Sequence, residues 1–93
     1  MSTYSIELVG PMGGMGGVRN LVLELGDEVT LREVAAAIRR DYPEQAAKLL
    51  KPDQDTLAGH YTFNVNGRFR MGEDETLVRS RDRVIIVSLA MGG

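Results

Sequence analysis

Apolar and polar residues alternate at the start of the chain. Tyr4, Ile6 and Leu8 fall on one side and Ser5, Glu7 and Val9 on the other, the period of a half-buried strand. Gly10-Pro11 ends this run, and the glycine-rich stretch 10–17 predicts a mobile loop. A second alternating run from about Val18 to Leu25 puts Leu21, Leu23 and Leu25 opposite Asn20, Val22 and Glu24, so the first two strands are expected to form an antiparallel hairpin with an enlarged tip. Gly26-Asp27-Glu28-Val29 reads as a turn. The period then changes: Leu31, Val34, Ala35 and Ile38 share one helical face, with Arg32, Glu33, Arg39 and Arg40 outside. Thr30 to Glu33 has the spacing of a capping box, in which each residue's side chain satisfies the other's backbone amide. Pro43 disfavours helical geometry in the residue before it, which ends the helix near Asp41-Tyr42. The same proline is suited to open a short second helix through Ala46, Ala47, Leu49 and Leu50, closed by Lys51-Pro52.

Asp53 to His60 is polar and predicts a loop. Tyr61, Phe63 and Val65 alternate with Thr62 and Asn64, and Asn66-Gly67 follows. That pair accepts positive φ at both positions and signals a tight hairpin returning through Arg68-Phe69-Arg70. Gly72 to Glu75 predicts a solvated turn, Leu77-Val78 an isolated apolar pair, and Arg79 to Arg83 a polar approach to the last strand. That strand, Val84-Ile85-Ile86-Val87, is the most apolar in the chain and ends at Ser88 or Leu89. A strand apolar on both faces is central and covered on both sides, or covered on one and open to a partner on the other. One helix covers only one face of a small sheet. The expected fold is therefore α+β, a mixed sheet in β-β-α-β-β order, with one more short strand left open, and with one main helix and a short second one. The first and last strands are expected side by side and parallel, with the helix as the crossover that such a pair requires. This arrangement is a β-grasp.

Length and charge narrow the function. With 93 residues the chain holds one domain; we place it at 1–87, followed by a flexible tail at 88–93. A net charge of −2, from 13 acidic and 11 basic residues, gives no overall electrostatic case for nucleic acid or an anionic membrane. The absence of cysteine removes disulfides, thiolate zinc sites and a nucleophilic thiol. No signal peptide and no membrane-spanning run are visible, so a cytoplasmic location is expected.

The tail is the chemically suggestive part. Gly92 and Gly93 lack Cβ and fit a channel too narrow for other dipeptides. Six extended residues from Ser88 reach about 20 Å. Three other features compete for attention. Arg79, Arg81 and Arg83 would align on one face of an extended segment, with Arg68 and Arg70 beside them, as a docking patch for an acidic partner; the plain alternative is a solvated face balanced by Glu73, Asp74, Glu75 and Asp82. His60 has no second ligand of its kind nearby, and no metal site is expected. The 10–17 loop precedes a strand and not a helix, so it is not a phosphate loop.

The Thr30 to Glu33 helix start, Asp41-Tyr42-Pro43, Val65-Asn66-Gly67, Asp82-Arg83-Val84 and terminal Gly92-Gly93 together resemble the ubiquitin-like sulfur carriers: the small subunit of molybdopterin synthase and the thiamine-biosynthesis sulfur carrier. The chain departs from the molybdopterin type in having Ser88-Leu89-Ala90-Met91 where prolines are usual, although its second helix brings it closer to that type. The resemblance implies a carrier that is not itself an enzyme. An E1-like adenylyltransferase would use ATP and magnesium to join the Gly93 carboxylate to AMP, and a sulfur donor protein would convert the product to a thiocarboxylate. A molybdopterin synthase large subunit or another sulfur-accepting synthase would receive the sulfur. Residues Ile85, Val87, Leu89, Ala90 and Met91, with Arg79, Arg81 and Arg83, are the expected partner contacts, and the odd-numbered face of the last strand is expected to point outward. The same tail chemistry also suits a modifier conjugated to lysines. A plain interaction domain is the third reading.

Overall fold

A computed structural model describes residues 1–9 and 19–89. The loop expected at 10–17, Val18 and the tail residues 90–93 lie outside the described residues. The elements are β1 (Ser2–Val9), β2 (Arg19–Leu25), β3 (Val29–Thr30), α1 (Leu31–Asp41), α2 (Pro43–Leu49), β4 (Tyr61–Val65), β5 (Arg68–Phe69), β6 (Leu77–Val78) and β7 (Val84–Ser88). Five strands form one mixed sheet in the order β2-β1-β7-β4-β5, while β3 and β6 pair separately. β1 and β7 are parallel, with Ile6 opposite Val84 and Leu8 opposite Ile86; β2 and β4 flank them antiparallel. The fold is a ubiquitin-like β-grasp, with the most apolar strand near the centre of the sheet.

Local chemistry sets the elements. Thr30 accepts the Glu33 amide at 3.1 Å and Glu33 accepts the Thr30 amide at 3.0 Å, completing the capping box at the start of α1. The next orphan amides of that turn, Leu31 and Arg32, donate to the carbonyls of Thr76 and Asp74, so the 74–76 loop caps the helix from outside. At the other end, Pro43 occupies the first turn of α2, where its missing N–H costs nothing. Asn66 and Gly67 have φ of 52° and 89°, the positive values that a two-residue hairpin turn demands.

The core lies between the sheet and α1. Leu31, Val34, Ala35 and Ile38 are buried against Tyr4, Ile6, Leu8, Leu21, Leu23, Phe63, Val84 and Ile86, with Ala46 and Leu49 of α2 closing one end. Each large apolar side chain sequestered this way contributes about 1.5–3 kcal/mol. Among the described residues no helix is long and apolar enough to cross a membrane.

Three expectations change. Val29 is not part of a turn: it is a buried strand residue opposite Val78. Leu77-Val78 is not an isolated pair, because Val78 is fully enclosed in the core and β6 is the strand that β3 requires. Two residues are too few to display a period, so the sequence could not reveal either strand. Arg39, expected on the solvent side of α1, instead grips the chain after α2. Its guanidinium donates to the carbonyls of Lys51 at 2.8 Å and Gln54 at 2.7 Å and pairs with Asp55 at 3.1 Å, which pins the 51–55 loop to the helix.

Candidate functional site

The site grows from β7. Its even residues Val84 and Ile86 are buried in the core, while Ile85 and Val87 are partly exposed on the opposite side and Leu89, continuing their parity, is 37% exposed. The odd-numbered residues therefore face away from the helix. Register assembles the surface around them, because cross-strand neighbours share a face. Val9, Val87 and Thr62 form one row. Glu7, Ile85, Asn64 and Phe69 form the next, and Val22 on β2 adds another exposed apolar side chain. The outward face is thus an apolar strip, with Phe69 56% exposed at one end, crossed by the ion pair between Glu7 and Arg83 at 3.3 Å.

Leu89 is where the described chain leaves the sheet. Its amide donates to the His60 carbonyl at 2.6 Å, one step beyond the β4–β7 ladder, so the base of the tail is held by backbone. The His60 ring stacks at a tilt on Tyr61, with centroids 4.2 Å apart. Ala90, Met91, Gly92 and Gly93, the expected chemical end of the site, lie outside the described residues.

The arginines depart from expectation. Residues 79–82 do not run extended: the Arg79 amide donates to the Asp82 carboxylate at 2.8 Å and the Asp82 amide to the Arg79 carbonyl at 3.0 Å. A short acidic side chain that accepts a nearby backbone amide favours a turn over a strand. This turn prevents Arg79, Arg81 and Arg83 from forming one row. Arg79 pairs with Glu28 at 3.1 Å and Arg83 with Glu7, and neither partner was visible in the sequence because both come from distant elements. Arg81 is exposed, and Arg70 pairs with Glu73 at 3.2 Å. Asp82 also accepts the Asn66 side-chain amide at 3.0 Å. The Arg79 amide, followed by that of Asn66, holds its carboxyl below the usual aspartate range.

Val9 and Phe69 are exposed on the outward face but were not among the expected contacts; Thr62 shares that face and is buried. Val9 was legible as the apolar member of an otherwise polar row, Ser5-Glu7-Val9. Phe69 carried only a weak signal, a single aromatic in a return strand of two residues.

With this geometry in hand, comparison of folds gives a consistent set of neighbours. The chain is similar to the crystal structure of SAMP1 from Haloferax volcanii, with a TM-score of 0.78 and 15% identity over 99% of this chain and 100% of that one. A second crystal structure of H. volcanii small archaeal modifier protein 1 superposes with a TM-score of 0.75 and 14% identity, over 95% and 98% of the two chains. The solution structure of small archaeal modifier protein 1 from Methanosarcina acetivorans gives 0.64 and 24%, over 100% and 98%. No protein-family model matches the sequence, and no curated protein matches it.

Proposed function

We propose that this chain is a ubiquitin-like carrier whose Gly93 carboxylate is activated by a partner enzyme and then passed to a nucleophile. The observation that supports it is the run of the chain: the apolar central strand β7, fixed through the Leu89 amide, leads within four residues to Gly92-Gly93. The carboxylate oxygen attacks the α-phosphorus of ATP, forming an acyl-phosphate bond as pyrophosphate leaves. A free carboxylate is ionised at neutral pH and is a poor acyl donor, having no leaving group; in the adenylate, AMP is the leaving group. A persulfide sulfur of a donor protein then attacks the acyl carbon and displaces AMP, and a thiol of a partner cleaves the acyl disulfide so formed, leaving a disulfide among the partners and a thiocarboxylate on Gly93 for a synthase of the molybdopterin type. ATP, magnesium and the sulfur nucleophile come from partners.

The outward face of β7 is the surface we assign to the activating enzyme. Val9, Ile85, Val87, Leu89 and Phe69 supply apolar area at the base of the tail, and the Glu7–Arg83 pair lies across it. Arg81 is the exposed cation of the turn beside it. Incubation with a cognate activating enzyme, ATP and a sulfur donor, followed by intact-mass measurement, should show one terminal oxygen replaced by sulfur. An unmodified mass with an enzyme proven active on another carrier would refute the proposal.

A second reading has specific support, since the similar structures named above are called modifier proteins. In that case a lysine amine displaces AMP or a thiol from the activated Gly93 and forms an isopeptide bond. Lys48 and Lys51 are the only lysines of this chain, and both are exposed. Higher-mass adducts that vanish on deletion of Gly93 mark conjugation, whereas a thiocarboxylate without adducts marks sulfur delivery. A phenotype unaltered by deleting Gly92 and Gly93 would leave a plain interaction domain.

A further inference from the structure

The two edges of the main sheet are built differently. On the β2 edge, Tyr42 closes the strand: its hydroxyl accepts the Val22 amide at 3.0 Å and donates to the Val22 carbonyl at 3.2 Å. The unpaired groups at the middle of that strand are thereby occupied, which guards against edge-to-edge pairing.

The opposite edge is open along half its length. β5 pairs only with Asn64 and Val65 of β4, and its chain departs after the Arg70 amide donates to the Phe63 carbonyl at 2.8 Å. The Tyr61 amide turns back to the Ala58 carbonyl at 2.9 Å. Between those two bonds, the alternation of an antiparallel ladder directs the Tyr61 carbonyl and the Phe63 amide to the same side, where no strand of the described residues runs. A cavity of about 390 Å³ occupies this place, walled by Thr56, Leu57, Tyr61, Phe63, Arg70 and Leu89 among others. That volume is at the lower end of the range for ligand pockets, about 300–1,000 Å³.

Two polar atoms of the cavity's residues are buried without hydrogen-bond partners among the described residues, Thr56 Oγ1 and Arg70 Nε. A buried group left so costs about 1–3 kcal/mol; neither atom is open to the cavity as it stands, so an incoming acceptor recovers that cost only as the side chain shifts toward it. Both atoms donate. Arg32 and Lys51 also border the cavity, against one carboxylate, Asp74. Glu75 and Glu73 engage Arg32 and Arg70 through one nitrogen each, and Lys51 has no salt bridge among the described residues. The remaining donors ask for an anionic, acceptor-rich occupant, and the open ladder groups ask for a backbone.

We propose that this notch binds an extended acidic peptide of a partner protein, which adds a short strand beside Tyr61–Phe63 and sets a carboxylate on Lys51 and Arg70. Strand addition draws affinity from main-chain hydrogen bonds and specificity from alternate side chains. Here Leu57, Met71 and Leu89 border the notch for the apolar positions. The notch shares Leu89 and Thr62 with the outward strip, but it invokes no activation of the tail, so it is tested independently of the carrier reading.

The test is an NMR titration of the full chain with the end-blocked peptide Glu-Val-Asp-Val-Glu, with Lys-Val-Lys-Val-Lys and sodium acetate as controls. The acidic peptide should give saturable shifts of the Phe63 amide and the Arg70 Nε–H, while the basic peptide gives none. Lys51→Ala, at an exposed position, should weaken binding about tenfold with the rest of the spectrum unchanged, and Lys51→Arg should restore it. Deleting Gly92 and Gly93 should alter nothing. Acetate reproducing the Arg70 shift while the peptide leaves the Phe63 amide unmoved would replace strand addition by a simple anion site. Shifts centred on β2, or none at millimolar peptide, would overturn the proposal outright.

Discussion

The two faces of the central sheet are made from nearly the same residues and have opposite fates. Along β7, Val84 and Ile86 are sealed beneath α1, whereas Ile85 and Val87, no less apolar, remain partly open on the other side. Composition does not separate the two rows. One face meets the only long helix among the described residues; on the other Thr62 is covered, while Ile85 and Val87 stay partly open. An apolar residue on the first face holds the domain together. On the second, it is free to serve an encounter with another molecule.

The sharpest way to break this contrast is to place the same charge on each face. Ile86→Asp puts a carboxylate into a closed core and should cost at least about 4 kcal/mol. That is comparable with the whole stability of a domain this size, about 5–15 kcal/mol, so the variant should show no cooperative thermal transition at pH 7. Val87→Asp should melt close to the parent chain and yet fail to be adenylated, because docking would then bury an unpaired ion. Unfolding of Val87→Asp would show that the outward row belongs to the core, and normal adenylation would remove it from the activation surface.

A smaller effect tests how far the covered layer reaches around the sheet. Tyr42, at the C-terminal end of α1, packs on the core and fastens the β2 edge through Val22. Tyr42→Phe keeps the ring and loses both bonds, at about 1 kcal/mol. Its more telling consequence should be concentration-dependent self-association, visible by analytical ultracentrifugation; a strictly monomeric variant would show that the hydroxyl does not guard the edge. Thr30→Ala removes the cap of the helix that covers the inner face and should cost about 1 kcal/mol, read as a lowered denaturation midpoint with the outward face still competent for adenylation.

The least of these effects concerns pH, at the turn leading into β7. Asp82 is held below its ordinary range by the Arg79 amide and then by Asn66, so the folded state favours its ionised form. Its contribution is complete above the unfolded value, about 3.9, and fades as pH falls through the lower folded value. The stability difference between the parent and Asp82→Asn should therefore be constant near neutrality and shrink below about pH 4. A difference that grows on acidification would contradict the assignment.

Much of the molecule is decided by local chemistry and is therefore present in the sequence. The alternation of Tyr4, Ile6 and Leu8, the Thr30–Glu33 box, Pro43 and Asn66-Gly67 act over a few residues each, through sterics and short-range hydrogen bonds. They yielded the strands, the helix ends, the hairpin and the β-grasp order. The tertiary structure alone decided the rest, since it depends on residues that meet across long stretches of chain. Val29 and Val78 become strands only in each other's presence. Arg79 and Arg83 turn toward Glu28 and Glu7 because the fold brings those carboxylates alongside, and the Asp82 turn breaks the row that their spacing suggested. The odd-numbered side of β7 was expected to point outward and does so, but Val84, Ile85, Ile86 and Val87 are equally apolar, and it is the position of α1 that fixes odd from even.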